Sequence, residues 1–265
     1  GFWIASSSIQ LFWPESNKII LQNFRSKTEA YSIPAIKEQV NILLIGERKL
    51  ENNNHSKQNL ESEYSDIFSI MILHFTANKP LKIIQIPIEF PIKIPGMKDN
   101  KTISDSYTAG GVALTADFIS EISSQTMGEI NRYIIFNPDS IENIISQIGG
   151  ITIDASKGLL ISSLYKPSFI SSEKDKLNSS EVKKILSSQK YKEDPTQGRE
   201  IVETIFEGIF AELKKNQNLL GLPLTIEYFL SKTKTNLTNK ELITIAISSL
   251  KGSKGIRIEN AVFNK

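Results

Sequence analysis

Short, strongly apolar runs of strand length alternate along this chain with longer runs whose apolar residues recur every three or four positions. Few architectures accept that alternation, and the leading one is a sheet covered by helices. Asn41–Ile45 (NILLI) is continuously apolar before Gly46, as a strand buried on both faces would be. Asp66–Phe75 and Leu81–Phe90 are β-rich and flank the turn-like Thr76–Pro80, which predicts a hairpin or two neighbouring strands. Gly110–Gly111 opens a helix with apolar positions at Leu114, Phe118, Ile119 and Ile122. Tyr133–Phe136 reads as a strand, Pro138 as a helix start, and Ile141, Ile144, Ile145 and Ile148 as one helical face. Gly149–Gly150 stops that helix before a strand at Ile151–Asp154.

Beyond an irregular stretch at 156–178, Ser179–Lys190 is a short polar helix. Arg199–Lys215 is a stronger one, striped by Ile201, Ile205, Ile209, Phe210 and Leu213. A segment near Leu219–Leu230 contains Pro223, and Thr238 with Glu241 makes a capping box for a last helix ending near Gly252. Ile256–Phe263 reads as a final strand. We expect a single three-layer α/β domain over residues 39–265, a central mixed β-sheet with helices on both faces, and no internal repeat.

Ahead of it, Gly1–Trp13 (GFWIASSSIQLFW) is apolar, uncharged and bounded by Pro14. It is shorter than the about 20 residues a spanning helix needs. With Trp3 and Trp13 in an interfacial style, it reads as the outer end of a truncated membrane anchor, or as an amphipathic segment packed on the domain. Residues 14–38 read as a polar linker.

Composition narrows the chemistry. The chain has no cysteine and two histidines, His55 and His74, so thiol nucleophiles, Cys-ligated metals and Ser–His pairs drop out. Thirty-one Lys and Arg against 29 Asp and Glu give a net charge of +2, which argues against a nucleic-acid binder acting through bulk charge. Carboxylates, cations, hydroxyls and backbone groups remain. Asp66, at the head of an apolar strand, is either a ligand for a divalent cation or a strand-initiating acid. Lys190, Lys192 and Arg199, interrupted by Asp194 and bridged by Pro195–Gly198, either converge on a phosphate or line a solvated loop. Gly110–Gly111 is either an anion-binding turn or a plain helix start, and Lys98, Lys101 and Asp105 form a polar loop ahead of it.

Taken in order, several segments carry a resemblance. They are NILLIG (Asn41–Gly46), YSDIFSIMILHF (Tyr64–Phe75), LKIIQIPIEFPIKIPG (Leu81–Gly96), ISDSYTAGGVALT (Ile103–Thr115), INRYIIFN (Ile130–Asn137), IISQIGGITID (Ile144–Asp154) and KYKEDPTQGRE (Lys190–Glu200). Together they resemble the LytR–CpsA–Psr family of cell-envelope proteins. The resemblance implies an anchored, extracytoplasmic protein that moves a glycopolymer from a polyprenyl-pyrophosphate carrier onto peptidoglycan. It implies phosphoryl transfer with Mg²⁺ held by Asp66, and pyrophosphate held by Lys190, Lys192 and Arg199 with Lys101 assisting. Asp66 and Arg199 would be catalytic. It also implies a hydrophobic tunnel for the lipid, although Phe118, Ile122, Ile205, Phe206 and Ile209 read individually as core.

The chain departs from the family pattern at charged positions. Tyr64-Ser65-Asp66-Ile67 stands where the family has Arg-Ser-Asp-Thr, and Ile86-Pro87-Ile88-Glu89 where it has Ile-Pro-Arg-Asp. Glu47 is offset by one residue from the family's acid after the first strand, and Arg48–Glu63 beyond it reads as a hydrophilic loop. Lys190-Tyr191-Lys192 replaces an Arg-x-Arg pair, and Val202 a second helix arginine. Lysine cannot reproduce a bidentate guanidinium fork on phosphate. Each lost transition-state donor costs about 10²–10³ in rate. Three readings therefore stand: a phosphotransferase of altered or weakened activity, a non-catalytic descendant that binds polyprenyl-phosphate lipid or an envelope partner, and an unrelated soluble α/β domain that binds small anions.

Overall fold

The computed structural model describes residues 39–49, 65–77, 79–123, 129–154, 161, 176–188, 194–215, 222–251 and 256–261. All fall within the unit Ile36–Lys265. Gly1–Trp13, the linker 14–38, Lys190 and Lys192 lie outside the described residues.

The described strands are β1 (Val40–Lys49), β2 (Ser65–Phe75), β3 (Leu81–Ile86), β4 (Pro91–Ile92), β5 (Lys101–Thr102), β6 (Arg132–Phe136), β7 (Ile151–Thr152), β8 (Lys176–Leu177), β9 (Lys234–Thr235) and β10 (Ile256–Asn260). The helices are α1 (Ile103–Ser123), α2 (Pro138–Ile148), α3 (Ser179–Ser187), α4 (Pro195–Leu213), α5 (Leu222–Ser231) and α6 (Asn239–Lys251). Six strands form one mixed sheet in the order β10-β3-β2-β1-β6-β9, and β4–β5 and β7–β8 form small separate ladders. β1 is antiparallel to β2 and parallel to β6, β2 is antiparallel to β3, and β3 is parallel to β10.

Side-chain alternation in the apolar runs produces the three layers. Ile42 and Leu44 enter one buried cluster, with Met71, Ile83, Phe136 and residues of α2 to α6. Leu43 and Ile45 enter another, with Ile72, Ile84 and the α1 residues Ile103 and Ile119. One helix thus covers one face of the sheet and five cover the other.

Several boundaries differ from the sequence expectation. β1 runs on through Arg48 and Lys49, residues that read as loop, because they continue to pair with Asp66 and Ser65. β3 stops at Ile86, since Pro87 lacks an N–H for the ladder and a turn follows, closed by Phe90 N–H on the Pro87 carbonyl at 3.1 Å. β7 joins β8 rather than the central sheet. Pro195–Gly198 is the first turn of α4, not a loop. Asp194 caps that helix by accepting from the N–H groups of Thr196 and Gln197 at 3.0 and 3.1 Å. The expected stop of α2 holds: Asn137 and Ser140 close its capping box, and Gly149 takes the left-handed conformation.

Gly110–Gly111 does not begin α1 but kinks it, and a second helical segment follows the kink. Gly111 has φ 64° and ψ −154°, a region open essentially to glycine alone. The buried Ser106 and Thr115 hydroxyls lie 3.0 Å apart, and Thr115 donates to the Gly111 carbonyl at 2.9 Å, so the kink is held from inside. A Cβ on Gly111 would meet nothing within 4 Å, so the penalty for alanine is one of backbone strain. Gly111→Ala is expected to cost about 1–3 kcal/mol, read as a lower urea midpoint.

At the edge of β1 and β2 remote from the kink, His74 Nδ1–H donates to Asn41 Oδ1 at 2.7 Å, and Thr76 Oγ1 lies 3.3 Å from Nε2. Asn41 Nδ2 in turn donates to the Glu129 carbonyl at 3.0 Å, which fixes Oδ1 as the acceptor. Burial first, then Lys82 and Lys79, hold the His74 pKa below its ordinary value, against a smaller opposing effect of Glu259. The folded protein therefore binds this proton less readily than the unfolded chain. Its contribution to stability is present above the unfolded value, near pH 6.5, and is lost as pH falls below it. Melting temperature should drop more between pH 7.5 and 5.5 for the native chain than for His74→Gln.

Candidate functional site

β1, β3, β6 and β10 point the same way, so their C-terminal ends share one end of the sheet with the start of β2. In open α/β sheets that end is where ligands are bound. The residues that gather there are held by local irregularities of the strands.

The β1–β2 ladder shifts register after Gly46: Gly46 faces Ser69, whereas Glu47 faces Ile67. The shift leaves Phe68 as an extra residue on β2 and brings Arg48 opposite Asp66. Gly46 admits it, because a Cβ there would stand 2.7 Å from Phe68 Cζ. Arg48 donates from Nε at 3.0 Å and Nη2 at 2.6 Å to Asp66 Oδ2, and from Nη1 to the Ser188 carbonyl just past α3. The two side chains are 2% and 16% exposed. The guanidinium therefore ties two strands to a helix end.

Strand alternation turns Glu47 to the opposite face, where it accepts the Tyr107 hydroxyl of α1 at 3.0 Å. Burial, followed by the Glu47 charge, pushes the Tyr107 pKa well above the usual tyrosine value, so the hydroxyl stays a donor.

Arg199 sits about one turn into α4, above β3. Gln85 Nε2 donates to its backbone carbonyl at 3.1 Å, and Gln85 Oε1 finds no hydrogen-bond partner among the described residues. The Arg199 guanidinium donates through Nη1 to Glu89 Oε1 and through Nη2 to Thr196 Oγ1 at 3.2 Å. Glu89 lies in the turn after β3. The same turn anchors the start of α1, whose Ile103 and Ser104 N–H groups donate to the Phe90 and Ile88 carbonyls at 3.0 Å each. Lys101, on β5 beside Ile92, enters α1 from there.

Ile70 faces Ile86 across β2 and β3. Asp66, four residues before Ile70 on β2, and Glu89, in the turn that follows Ile86 of β3, therefore lie at the same end of the sheet. Gln85 lines the α4 face of the sheet, and Arg48 reaches α3 on that face. Two ion pairs, Arg48–Asp66 and Arg199–Glu89, thus stand on one face at this end, and Glu47 with Tyr107 on the other. Charge-assisted donors and hard oxygen acceptors side by side are suited to a phosphate-bearing ligand.

The LytR_cpsA_psr family model matches residues 15–264. The chain belongs to the LytR–CpsA–Psr family. Solved structures agree in fold. TagV from B. subtilis is 17% identical with a TM-score of 0.61, over 85% of this chain and 85% of that one. The structure of TagT bound to LI-WTA is 15% identical with a TM-score of 0.60, over 84% and 79%. A putative transcriptional regulator from Bacillus subtilis, ywtF, is 14% identical with a TM-score of 0.62, over 87% and 80%. No curated protein matches the sequence.

In this LytR–CpsA–Psr protein the partners of the two expected site residues escaped the sequence analysis. Glu89 stood out there only as a departure from a pattern, and Arg48 had no role assigned. A register shift has no composition signature, so nothing in the residues announced that Arg48 would face Asp66. Ile205, Phe206 and Ile209 are buried in the cluster beneath α4, while Phe118 and Ile122 pack against the cluster beneath α1. The sheet separates the two sets, so they do not line one channel. Among the described residues no helix is long and apolar enough to cross a membrane.

Proposed function

We propose that this protein is a cell-envelope glycopolymer transferase, acting on a polyprenyl-pyrophosphate carrier and delivering the polymer to peptidoglycan. Family membership supports the class of reaction. The observation that supports this site is that the Arg48–Asp66 and Arg199–Glu89 pairs belong to the same face and the same end of the sheet. TagT, of the same fold, has been solved bound to LI-WTA.

The transfer forms a bond from an acceptor hydroxyl to the glycan-linked phosphorus and breaks the phosphoanhydride, releasing polyprenyl phosphate. Charge grows on the bridging oxygen as that bond breaks, and the protein's part is to position the groups and neutralise the charge. Arg199, fixed through its backbone by Gln85, offers a guanidinium fork to the phosphate oxygens. Arg48 holds the Asp66 carboxylate in place. Lys101, on the β4–β5 ladder ahead of α1, and Lys190 and Lys192, outside the described residues, would add charge.

Among the described residues no group of three or more acidic or histidine side chains makes a metal cage. Mg²⁺ does not require one, since it is commonly bound by one or two carboxylates and substrate phosphates. Asp66, a hard oxygen donor at this end, fits that mode. When bound there, Mg²⁺ supplies charge neutralisation at the pyrophosphate. The envelope location and the N-terminal anchor belong to the same proposal.

A specific feature favours a second reading, a non-catalytic lipid binder. Both guanidiniums are paired with carboxylates of the chain itself, Arg48 with Asp66 and Arg199 with Glu89. One assay separates the two. The purified chain is given a polyprenyl-pyrophosphate-linked glycan, a peptidoglycan acceptor and Mg²⁺. Transfer that falls about 10²-fold or more in Asp66→Ala and in Arg199→Ala supports the enzyme. Tight binding of the lipid with no transfer by the native chain supports the binder.

A further inference from the structure

On the face that carries Arg199, two guanidiniums (Arg48, Arg199) are each paired with a carboxylate of the chain (Asp66, Glu89), so the four charges cancel where an anion is expected. The two cations are not held alike. Arg48 is almost fully buried, has three donors placed, and serves as a strut. Arg199 is 21% exposed, and its carboxylate partner Glu89 is 41% exposed. An ion pair this open to water is weak and easily exchanged. Glu89 also sits in a tight turn outside the ladder, so its side chain can leave without disturbing the sheet.

We propose that Glu89 is an internal counter-ion that occupies the Arg199 fork until a pyrophosphate group displaces it, and so sets the affinity and selectivity of the site. The inference rests on the reading of this end as a pyrophosphate site. A pyrophosphate carries more charge than one carboxylate and can take both arms of the fork, whereas a singly charged anion gains little over the resident Glu89. The pair thus discriminates against weak anions and keeps Arg199 oriented when the site is empty. A free pyrophosphate and the headgroup of a polyprenyl pyrophosphate share this chemistry.

The test is calorimetric titration of the full chain, with MgCl₂ present, using inorganic pyrophosphate in one arm and farnesyl pyrophosphate in the other. Glu89→Gln keeps the size of the side chain and removes the charge. It is expected to tighten binding about tenfold in both arms, and to tighten acetate by a larger factor, because acetate is the anion that the resident carboxylate keeps out. A stronger farnesyl arm at an unchanged gain identifies the lipid as the source. Glu207→Gln removes an exposed carboxylate eight residues along the same helix, about 12 Å from Arg199, and should change affinity less than twofold. An unchanged or weakened affinity in Glu89→Gln overturns the proposal while leaving the pyrophosphate reading standing, provided that the native chain binds and Arg199→Ala does not. An equal gain in Glu207→Gln overturns it too, because the effect is then one of net charge. Binding by none of the proteins overturns both the proposal and the reading beneath it.

Discussion

Arg48→Ala is expected to destabilise the domain by about 3–5 kcal/mol, because it removes one partner from a largely buried ion pair and leaves the other behind. The arginine is 2% exposed, and its three placed donors satisfy Asp66 and the Ser188 carbonyl together. Without it, the largely buried Asp66 carboxylate loses both guanidinium bonds to Oδ2, and the join between β1, β2 and the end of α3 is gone. In a domain of this size the loss corresponds to a melting temperature about 10 °C lower. Arg48→Lys should recover part of it, since an ammonium can approach Asp66 but cannot also reach Ser188 in the same fork. Arg48→Ala/Asp66→Ala should be more stable than Arg48→Ala alone, because no lone carboxylate remains. Urea unfolding of the three variants measures this, and a double variant less stable than the single one would remove the buried charge as the cause.

Phe136→Ala is the second large effect, about 3–5 kcal/mol, from lost apolar burial and the cavity left behind. Phe136, at the end of β6, is 2% exposed. Its ring meets Phe68 edge-on with centroids 5.8 Å apart, and Phe206 of α4 at 5.7 Å. These neighbours connect the core to the site: Phe68 is the extra residue of the register shift that aligns Arg48 with Asp66, and Phe206 lies two turns along α4 from Arg199. Phe136→Leu, which refills most of the volume, should cost under about 1.5 kcal/mol. Transfer activity should fall in Phe136→Ala even at temperatures where it remains folded, as checked by circular dichroism at the assay temperature.

The layers were legible because burial on both sides leaves a direct trace, as in NILLI, and because helix ends carry local chemistry, as at Pro138 and Thr238–Glu241. Boundaries set by pairing were not. Arg48 and Lys49 look like loop residues until a partner strand is beside them, and the kink at Gly110–Gly111 passes for a helix start because residues after it are helical. At the site, the sequence points to Asp66 and Arg199, one by its place before a strand and the other within a basic cluster. Neither Arg48 nor Glu89 could be assigned as a partner, because both contacts depend on register, between β1 and β2 in one case and between α4 and the turn after β3 in the other. Asp194 shows the reverse error, an acid that reads as part of a charged cluster and serves as a helix cap.

The most direct measurement is a crystal structure of the chain with a short-chain polyprenyl pyrophosphate and Mg²⁺. The account predicts diphosphate oxygens within hydrogen-bond distance of the Arg199 guanidinium, on the face of the sheet that carries Arg48 and Asp66. A diphosphate seated on the Glu47–Tyr107 face, or anywhere out of reach of Arg199, would contradict it.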